Sequence, residues 1–559
     1  MKDNAKAIAA YENLKKSFPG NLDVLFALGH LYEDAGDLDK ARENYNAVLN
    51  SDSKNMDALL AIGRIEIKSG NSQASIEPLS KAQAIAIDVD NQEQQALILQ
   101  ARGIAYQDLN KLNEALRNFN DALEINRKLG QKRGIAASLS MIAQVDESLG
   151  KIDDALKSYN EALQIRRDIG ARKEVGDTLI NIASLYFDRG QYDKALPLFK
   201  EALQIQVDAG DEGYQAMCLN NIGSVYLAKG QNEDALTYFQ QSLQLREKLN
   251  VPADIAETLL NLGSAYVSTG QADKALAAYM RALDLNRKSN DTRGAAVVSM
   301  NMGQMFQSQG RVGPAVGALQ DAVNGLRASG EKGATMATAL AAFADALARA
   351  GRGAEAGKYL DEAKSLAPTL KSDAVDGSIL NAEGDLKFYQ GDTKGAAALY
   401  EQAGRLAAKT SNTDVALLAK LNIDKIAVAE GRNRVAIGDL RLLAQKSDEQ
   451  GRRILAVEAS VLMAEAMLKD KDIAHGRQEL EHALTRSEKL GLRLQQAKIH
   501  YLLGTTARAS GNATEAASNF RTAVNLLEQI QRESGGEHVL DRSDLKPIYT
   551  DATQALKKS

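Results

Sequence analysis

The sequence lacks most features of a secreted, membrane-spanning or disulfide-stabilised protein. Of its 559 residues, none is tryptophan, seven are proline and one is cysteine, Cys218. A single cysteine cannot form an intramolecular disulfide, and it does not identify the compartment. No run of 18 or more apolar residues occurs, so the sequence predicts no membrane-spanning helix. The amino-terminal residues also lack the apolar stretch of a signal peptide, and we therefore expect a cytoplasmic location.

The chain also lacks an excess of charge of either sign. It has 73 acidic and 68 basic residues, which give a formal net charge of −5. A surface that binds duplex nucleic acid usually carries a clear basic excess, so we do not expect a nucleic-acid partner. Arginines and lysines do precede many predicted helix ends, for example Arg166 and Arg246. Cations there favour the negative end of the helix dipole, which explains them without a ligand.

Glycine, in contrast, is frequent, with 43 residues, and it recurs with a fixed period. Two series of glycine or asparagine residues are each spaced by 40 residues, with one step of 41 and one turn, at Lys471, that lacks its glycine. Both residue types tolerate the left-handed conformation that ends many helices, so two helix ends per 40 residues predict a repeating helical hairpin. The first series is Asn110, Gly150, Gly190, Gly230, Gly270, Gly310, Gly351, Gly391, Gly431 and Gly511, and the second is Gly130, Gly170, Gly210, Asn250, Asn290 and Gly330.

Two further positions of each unit predict how its helices pack. Seven residues before the turn, twelve of thirteen units have glycine or alanine, and Asp424 is the exception. Five residues after the turn, eleven units have alanine. Small side chains at these positions let two helices approach closely, so a larger side chain is expected to overpack the contact. Four residues later every unit has an aromatic residue or leucine, which we expect to pack against the next unit.

Together these positions resemble the tetratricopeptide repeat, whose pattern is seen in Gly263, Tyr266, Gly270, Ala275, Tyr279 and Ala282. The resemblance covers about residues 1 to 535 in thirteen units. The period of 40 is similar to the long-helix arrays of kinesin light chains, of Pins-type adaptors and of bacterial signalling proteins. The family's tryptophan is replaced by leucine or other residues, and its helix-ending proline is mostly absent. The resemblance implies an all-α fold, a right-handed superhelical solenoid of stacked hairpins.

Differences in regularity between units predict five segments. Residues 1–20 are expected to form the second helix of an incomplete leading repeat, as in a part of a longer protein. Residues 21–94 form two units, residues 95–334 six units of period 40, and residues 335–535 five divergent, partly alanine-rich units. Residues 536–559 are expected to form a capping helix and tail. The alanine-rich stretch 312–408 is a candidate spacer or self-association surface.

One position on the first helix of four successive units predicts a binding site, because the resemblance places that helix on the inside of the superhelix. The position carries asparagine, and a residue three places later shares its helix face. A carboxamide offers both a donor and an acceptor, as a peptide bond requires. We therefore expect these asparagines to hold an extended peptide; alternatively, they bond to neighbouring helices and tune superhelical curvature. The predicted site comprises Asn181, Ser184, Asn220, Asn221, Ser224, Asn261, Ser264, Asn301 and Gln304.

No motif predicts catalysis or a cofactor. His475, Glu479 and His482 have a spacing that zinc would accept, but the repeat register places them on the outer, solvated side. Cys218 has no histidine among its repeat neighbours, so we expect a buried thiol. The sequence therefore predicts a non-catalytic scaffold that binds a protein or peptide. The alternative is a regulatory or sensor array of a larger signalling protein, such as a bacterial serine/threonine kinase or a transcription regulator.

Overall fold

A computed structural model describes residues 2–370, 372–410, 413–534 and 539–558, and no strand occurs in these ranges. The chain divides into two compact units, Met1–Asp211 (unit 1) and Glu212–Ser559 (unit 2). The helices of unit 1 are α1 Lys2–Ser17, α2 Leu22–Asp34, α3 Leu38–Ser51, α4 Met56–Lys68, α5 Ser72–Asp88, α6 Gln92–Asp108, α7 Leu112–Leu129, α8 Lys132–Ser148, α9 Ile152–Asp168, α10 Arg172–Asp188 and α11 Tyr192–Ala209.

Unit 2 contains the remaining described helices and one 3-10 helix, Val539–Asp541. Its helices are α12 Glu212–Ala228, α13 Asn232–Leu249, α14 Pro252–Ser268, α15 Ala272–Lys288, α16 Thr292–Ser308, α17 Val312–Ala328, α18 Ala334–Arg349, α19 Gly353–Leu370, α20 Asp373–Tyr389, α21 Thr393–Thr410, α22 Thr413–Ala429, α23 Asn433–Glu449, α24 Arg453–Lys469, α25 Ile473–Lys489, α26 Arg493–Ala509, α27 Ala513–Ser534 and α28 Lys546–Lys558. The helices α2 to α27 pair as thirteen consecutive hairpins, so the chain is an all-α solenoid of stacked hairpins, as the sequence predicted. No helix of the described ranges combines the length and apolar character needed to cross a bilayer.

The turns between helices have the predicted left-handed geometry. Every residue of the two turn series has a positive φ, from 55° at Asn250 to 89° at Gly391. Lys471 (φ 69°) and Asp90 (φ 50°) adopt the same conformation although neither is glycine or asparagine. An L-residue with a side chain is strained in this region. The position in the repeat, rather than the residue alone, therefore imposes the turn.

Close approach of the two helices within a hairpin explains the small residue before each turn. A Cβ atom added to Gly29 would lie 2.5 Å from the Tyr45 ring, and one added to Gly223 would lie 2.7 Å from the Phe239 ring. Real Cβ contacts are essentially never this short, so the ring fills the space that glycine leaves. The ring also packs against the next unit, as expected, since Tyr45 shares a core cluster with Ala61 and Ile65 of α4.

Unit 2 folds back on itself. The turn at Gly230 meets the turn at Gly451 so closely that backbone atoms of Gln450 occupy the space a Cβ on Gly230 would need. The Asn232 side chain donates a hydrogen bond to the Gly451 carbonyl (3.3 Å). The next turn repeats the contact, since a Cβ on Gly270 would lie 2.8 Å from Leu490. Early and late hairpins of unit 2 are thus joined through their turns.

The alanine-rich helix α18 is packed inside unit 2. Ala337, Ala339, Ala341, Ala344 and Ala346 are each at most 2% exposed. Small side chains on this helix let the neighbouring helices approach closely. The alanines are therefore core residues rather than an exposed surface, and self-association through residues 312–408 stays a prediction.

Candidate functional site

The predicted asparagine ladder, Asn181, Asn221, Asn261 and Asn301, lies on the first helices of successive hairpins. Asn181 is on α10 of unit 1, and the other three are on α12, α14 and α16 of unit 2. All four side chains are half-buried, and Gln304, one turn after Asn301, is exposed. In unit 2 the ladder therefore reaches solvent at each of its positions.

The side-chain oxygens of the ladder asparagines are available as hydrogen-bond acceptors. Asn261 donates its side-chain N–H to Asn220 Oδ1 (3.1 Å), and Asn301 donates to the Val297 carbonyl of its own helix (2.9 Å). No ladder oxygen accepts a hydrogen bond from any residue that the structure describes. Each ladder carboxamide can therefore accept one bond from an approaching N–H group.

Asn220 differs from the ladder residues in being buried, with 2% of its surface exposed. Its side chain donates to Glu257 Oε1 (3.1 Å), and its own oxygen accepts the bond from Asn261. Glu257 in turn accepts a bond from Arg246 Nη1 (3.0 Å). In this structure Asn220 thus links neighbouring repeats and does not face solvent.

The predicted hydroxyl groups are already engaged with the protein in unit 2. Ser224 Oγ donates to the Asn220 carbonyl (3.1 Å), and Ser264 Oγ donates to the Leu260 carbonyl (3.2 Å). Ser264 also lies 3.2 Å from the Tyr279 hydroxyl. Ser184, in unit 1, is half-buried. A ligand of the ladder would therefore meet these serines as secondary contacts.

Sequence reasoning missed the role of Arg246. The side chain is 4% exposed, and it donates to the Asp254 carbonyl (2.6 Å) and to Thr258 Oγ1 (2.8 Å) as well as to Glu257. The explanation by helix dipole alone is therefore insufficient for Arg246, because the side chain joins adjacent hairpins. The signal in the sequence was the repeat register, which places a hydrogen-bonding residue at this position in five successive units: Asn126, Arg166, Gln206, Arg246 and Asn286.

An open cleft of about 400 Å³ lies on unit 2, between the carboxyl ends of α14, α16 and α18 and the start of α24. Gln304 is the predicted site residue that lines it. The volume falls within the range of small-molecule sites. Both apolar and polar groups line the wall, with apolar surface in slight excess, and its charged residues are Asp345, Arg349, Arg452, Arg453 and Glu458.

Asp345 and Arg349 form the most buried charged part of this wall. Arg349 Nε lies 3.0 Å from Asp345 Oδ2, and Arg349 Nη2 lies 3.1 Å from Asp385 Oδ2. Burial raises the pKa of Asp345 to about 6 although the Arg349 guanidinium lowers it, and the Asp385 carboxylate adds to the rise. These residues were not predicted as site residues, since each lies in a divergent unit of the repeat.

Other candidate residues lie apart from this surface. His475 is 72% exposed and its ring contacts Asp472 (2.9 Å). Within the described ranges no group of three or more His, Cys, Asp or Glu residues could hold a metal ion. Cys218 is fully buried, which confirms the expected packed thiol.

Comparison with known families settles the identity of the repeat. A family model described as the MalT-like TPR region matches residues 223–531, which is more than half of the chain. The chain belongs to the tetratricopeptide-repeat family. Models described as tetratricopeptide repeat match residues 2–42, 26–89, 96–129, 113–168 and 174–248. The resemblance seen in the sequence is confirmed, and with it a family of protein-interaction scaffolds that are generally not catalytic.

Solved structures resemble this tetratricopeptide-repeat chain over part of its length. The apo quorum sensor NprR from B. thuringiensis is 19% identical, with 63% of this chain and 99% of that chain covered and a TM-score of 0.46. The apo form of RapI is 16% identical, with 48% and 99% covered and a TM-score of 0.40. BtubC from P. vanneervenii is 22% identical, with 42% and 92% covered and a TM-score of 0.34. No curated protein matches the chain.

Proposed function

We propose that this tetratricopeptide-repeat chain is a non-catalytic scaffold that binds an extended segment of a partner protein on its inner helices. The observation that supports the proposal is the set of ladder oxygens that accept no hydrogen bond from the described residues. Their regular recurrence, one per 40 residues, offers successive acceptors to the N–H groups of a peptide backbone. We propose no nucleic-acid partner, no catalytic activity and no cofactor for this scaffold.

The ladder suits a peptide backbone better than a charged group. None of its four side chains is charged, so a carboxylate would have no cation to pair with there. A hydrogen bond between neutral groups contributes about 0.5–1.5 kcal/mol net. The three ladder bonds of unit 2 would give modest affinity with little dependence on sequence. Side chains of the partner and further contacts would then have to supply specificity.

The test compares the wild-type chain with a variant in which Asn181, Asn221, Asn261 and Asn301 are all changed to Ala. Affinity capture from a lysate of the source cells is expected to lose its prey, while circular dichroism shows unchanged helix content. Asn261→Ala removes the hydrogen bond to Asn220, so the free energy of unfolding should fall by about 1 kcal/mol and the melting temperature should fall slightly. Asn221→Ala removes no hydrogen bond made among the described residues and is the cleanest single change.

A matched control changes asparagines of second helices. Asn120 and Asn160 bond to carbonyls of their own helices (2.8 and 2.7 Å) and are exposed. The Asn120→Ala, Asn160→Ala variant should retain all prey. Identical prey from the ladder variant and the wild type would instead show that the asparagines act structurally, as the alternative interpretation holds.

A second candidate function is that of a regulatory or sensor array within a larger signalling protein. The match of residues 223–531 to the MalT-like TPR region model favours it, as does an open cleft of about 400 Å³ with charged residues in its wall. A reading frame that joins this chain to a kinase or DNA-binding domain would support this candidate. A frame that encodes the repeats alone would exclude it.

A further inference from the structure

Residues 539–545, here called the plug segment, lie against the inner helices of unit 2. The segment begins with the 3-10 helix and leads into α28. Val539 and Leu545 are fully buried, and Arg542 is 4% exposed. The two apolar residues join the same core cluster as Leu347, Leu386 and other residues of α18 and α20. The segment is thus held at both ends by apolar contacts.

The structure provides a pocket for the Arg542 side chain. Arg542 Nη1 donates to the carbonyl of Arg349, the last residue of α18 (3.3 Å). The guanidinium lies 4.1 Å from the centre of the Tyr389 ring. A cation is favoured both at the carboxyl end of a helix and over an aromatic face. The pocket therefore selects a basic, planar side chain.

The Asp544 carboxylate meets three cations. Arg542 donates to both of its oxygens (3.0 and 2.8 Å), and Lys498 Nζ on α26 lies 3.4 Å from Oδ2. Burial acts to raise the pKa of Asp544, but the nearby Arg542, Lys498 and Lys425 outweigh it, so this pKa lies well below its usual range. Among the described residues, Asp544 is the one carboxylate within ion-pair distance of Lys498. Without the plug segment this lysine would lack that partner.

Lys425 is the second cation of this surface. Its Nζ lies 3.9 Å from the centre of the Phe388 ring, on α22 facing α20. Burial lowers the pKa of Lys425 to about 8 although the Asp544 carboxylate raises it. A buried cation is costly unless it is paired. An acidic ligand at the position of Asp544 would therefore be favoured here as well.

The plug segment also binds through its backbone. Ser543 donates its N–H to the Tyr389 carbonyl (3.4 Å) and its hydroxyl to the Phe388 carbonyl (2.8 Å). These two carbonyls belong to the last residues of α20, and the Phe388 carbonyl also accepts the Gly391 N–H (3.0 Å). Main-chain bonds, together with pockets for particular side chains, are how many extended peptides are recognised.

We infer that the inner surface of α18, α20, α22 and α26 is a peptide-binding site and that residues 539–545 are its intramolecular ligand. The site takes an arginine followed two residues later by an aspartate, with apolar residues on either side. A partner segment of the same chemistry binds there when the plug segment leaves. The site uses none of the ladder residues, so the inference goes beyond the proposed function and does not depend on it.

In the wild-type protein the plug segment competes with any separate peptide for the same site. A segment joined to its own site by a short linker competes at an effective concentration of about millimolar. A separate peptide at micromolar concentration is then largely excluded. Weakening the plug segment should therefore increase binding of a separate peptide, and an increase of about 100-fold is expected where the intrinsic dissociation constant is about 10 μM.

The test measures binding of a fluorescein-labelled synthetic peptide with the sequence of residues 539–545, the plug segment alone, to the full-length chain by fluorescence anisotropy. The Arg542→Ala, Asp544→Ala variant should bind it at least about tenfold more tightly than the wild type. Hydrogen exchange should show faster exchange of residues 539–545 in the variant. Adding Lys498→Ala to the variant should weaken peptide binding, and a peptide with both Ala changes should not bind.

Folding is checked by circular dichroism before each comparison. Should the double variant fail to fold, Asp544→Asn removes the charge, keeps the shape and applies the same test. No peptide binding by a folded variant would overturn the inference and make the plug segment an ordinary part of the core. Equal binding by wild type and variant, or binding indifferent to Lys498→Ala, would also overturn it. All ladder residues are intact throughout, so the outcome is independent of the ladder experiment.

Discussion

Unit 2 contains two groups of hairpins: those from α12 to α17 are called the ladder repeats, and those from α18 to α27 the plug repeats. The two groups differ at the repeat position that carries the ladder asparagines. Asn261 and Asn301 in the ladder repeats have oxygens that accept no hydrogen bond from the described residues. Asn422, at the same position in the plug repeats, is 5% exposed and donates to Asp385 Oδ1 (3.3 Å). Asparagine at this position can therefore bond to a ligand in the ladder repeats, whereas in the plug repeats it is buried and bonded to the protein.

The two groups nevertheless share their internal packing. Gly223 approaches Phe239 in the ladder repeats, and Gly504 approaches Phe520 in the plug repeats, with would-be Cβ distances of 2.7 and 2.8 Å. The hairpin is thus set by small and aromatic residues that lie between its helices. Its inner surface is left free to vary: it carries the uncharged asparagine ladder in the ladder repeats, and the Arg349 ion pairs and the plug segment in the plug repeats.

The largest expected difference between the groups is in the stability lost when a side chain in the last turn of an inner helix is removed. Arg349 in the plug repeats has the same repeat position as Ser308 in the ladder repeats. Arg349→Ala would leave Asp345 and Asp385 without their shared guanidinium. Removing one partner of a buried ion pair costs about 3–5 kcal/mol. We expect strongly increased hydrogen exchange in α18 and α20 and a lower melting temperature.

Ser308→Ala is the matched change in the ladder repeats. The Ser308 hydroxyl donates to the Met305 carbonyl of its own helix (2.8 Å), and the side chain is half-buried. Its loss should leave exchange in α16 nearly unchanged. Similar effects of the two substitutions would contradict the view that the Arg349 ion pairs stabilise this turn of the plug repeats.

Asp424 is a second difference, because the ladder repeats have glycine at this position. Asp424 is 2% exposed, its Oδ2 is buried without a partner, and Lys420 Nζ lies 3.0 Å from Oδ1. Burial raises the pKa of Asp424 from the ordinary 3.8 to about 6, against the effect of Lys420. A rise of about two units corresponds to about 2.7 kcal/mol. Asp424→Ala should therefore stabilise unit 2 at pH 7 by about 1–3 kcal/mol, since loss of the Lys420 pair offsets part of the gain.

The pH dependence gives this prediction its sign. The folded-state pKa lies above the unfolded value, so ionisation of Asp424 costs stability as pH rises from about 4 to about 6. The advantage of Asp424→Ala in urea unfolding should be largest at pH 7 and should vanish near pH 4. Asp439→Ala, which removes the other, more exposed carboxylate bonded to Lys420, should give no such gain. A pH-independent gain would mean that space, and not charge, is what matters at this position.

Local patterns made much of this fold predictable. Positions separated by 40 residues predicted the hairpins and the left-handed turns, and the expected burial of Cys218 followed from its place on a first helix. These features depend on neighbours within one or two units, which the sequence places in register. The ladder was found for the same reason, as a single position read in four consecutive units.

Long-range contacts were not predictable in this way. The meeting of Gly230 with Gly451 depends on small rotations added over many hairpins, and no single repeat position records that sum. The burial of Asn220 was missed because Asn220 and Asn221 are the same residue type. They differ only in the face of the helix on which they lie, and Asn220 lies on the buried face. The docking of Arg542 was missed because residues 536–559 lie outside the repeat pattern.

The smallest expected difference lies in the turns, where Lys471 in the plug repeats stands at the position of Gly230, Gly270 and Gly310. Lys471 is exposed and has φ 69°, a conformation that costs an L-residue about 1–2 kcal/mol. Lys471→Gly should therefore stabilise the α24–α25 hairpin by about 1 kcal/mol, because glycine's greater freedom in the unfolded chain cancels part of the gain. Slower hydrogen exchange in α24 and α25 would measure it. Lys471→Ala keeps the strain and should give no gain, so an equal gain from alanine would place the cost in the lysine side chain rather than in its backbone.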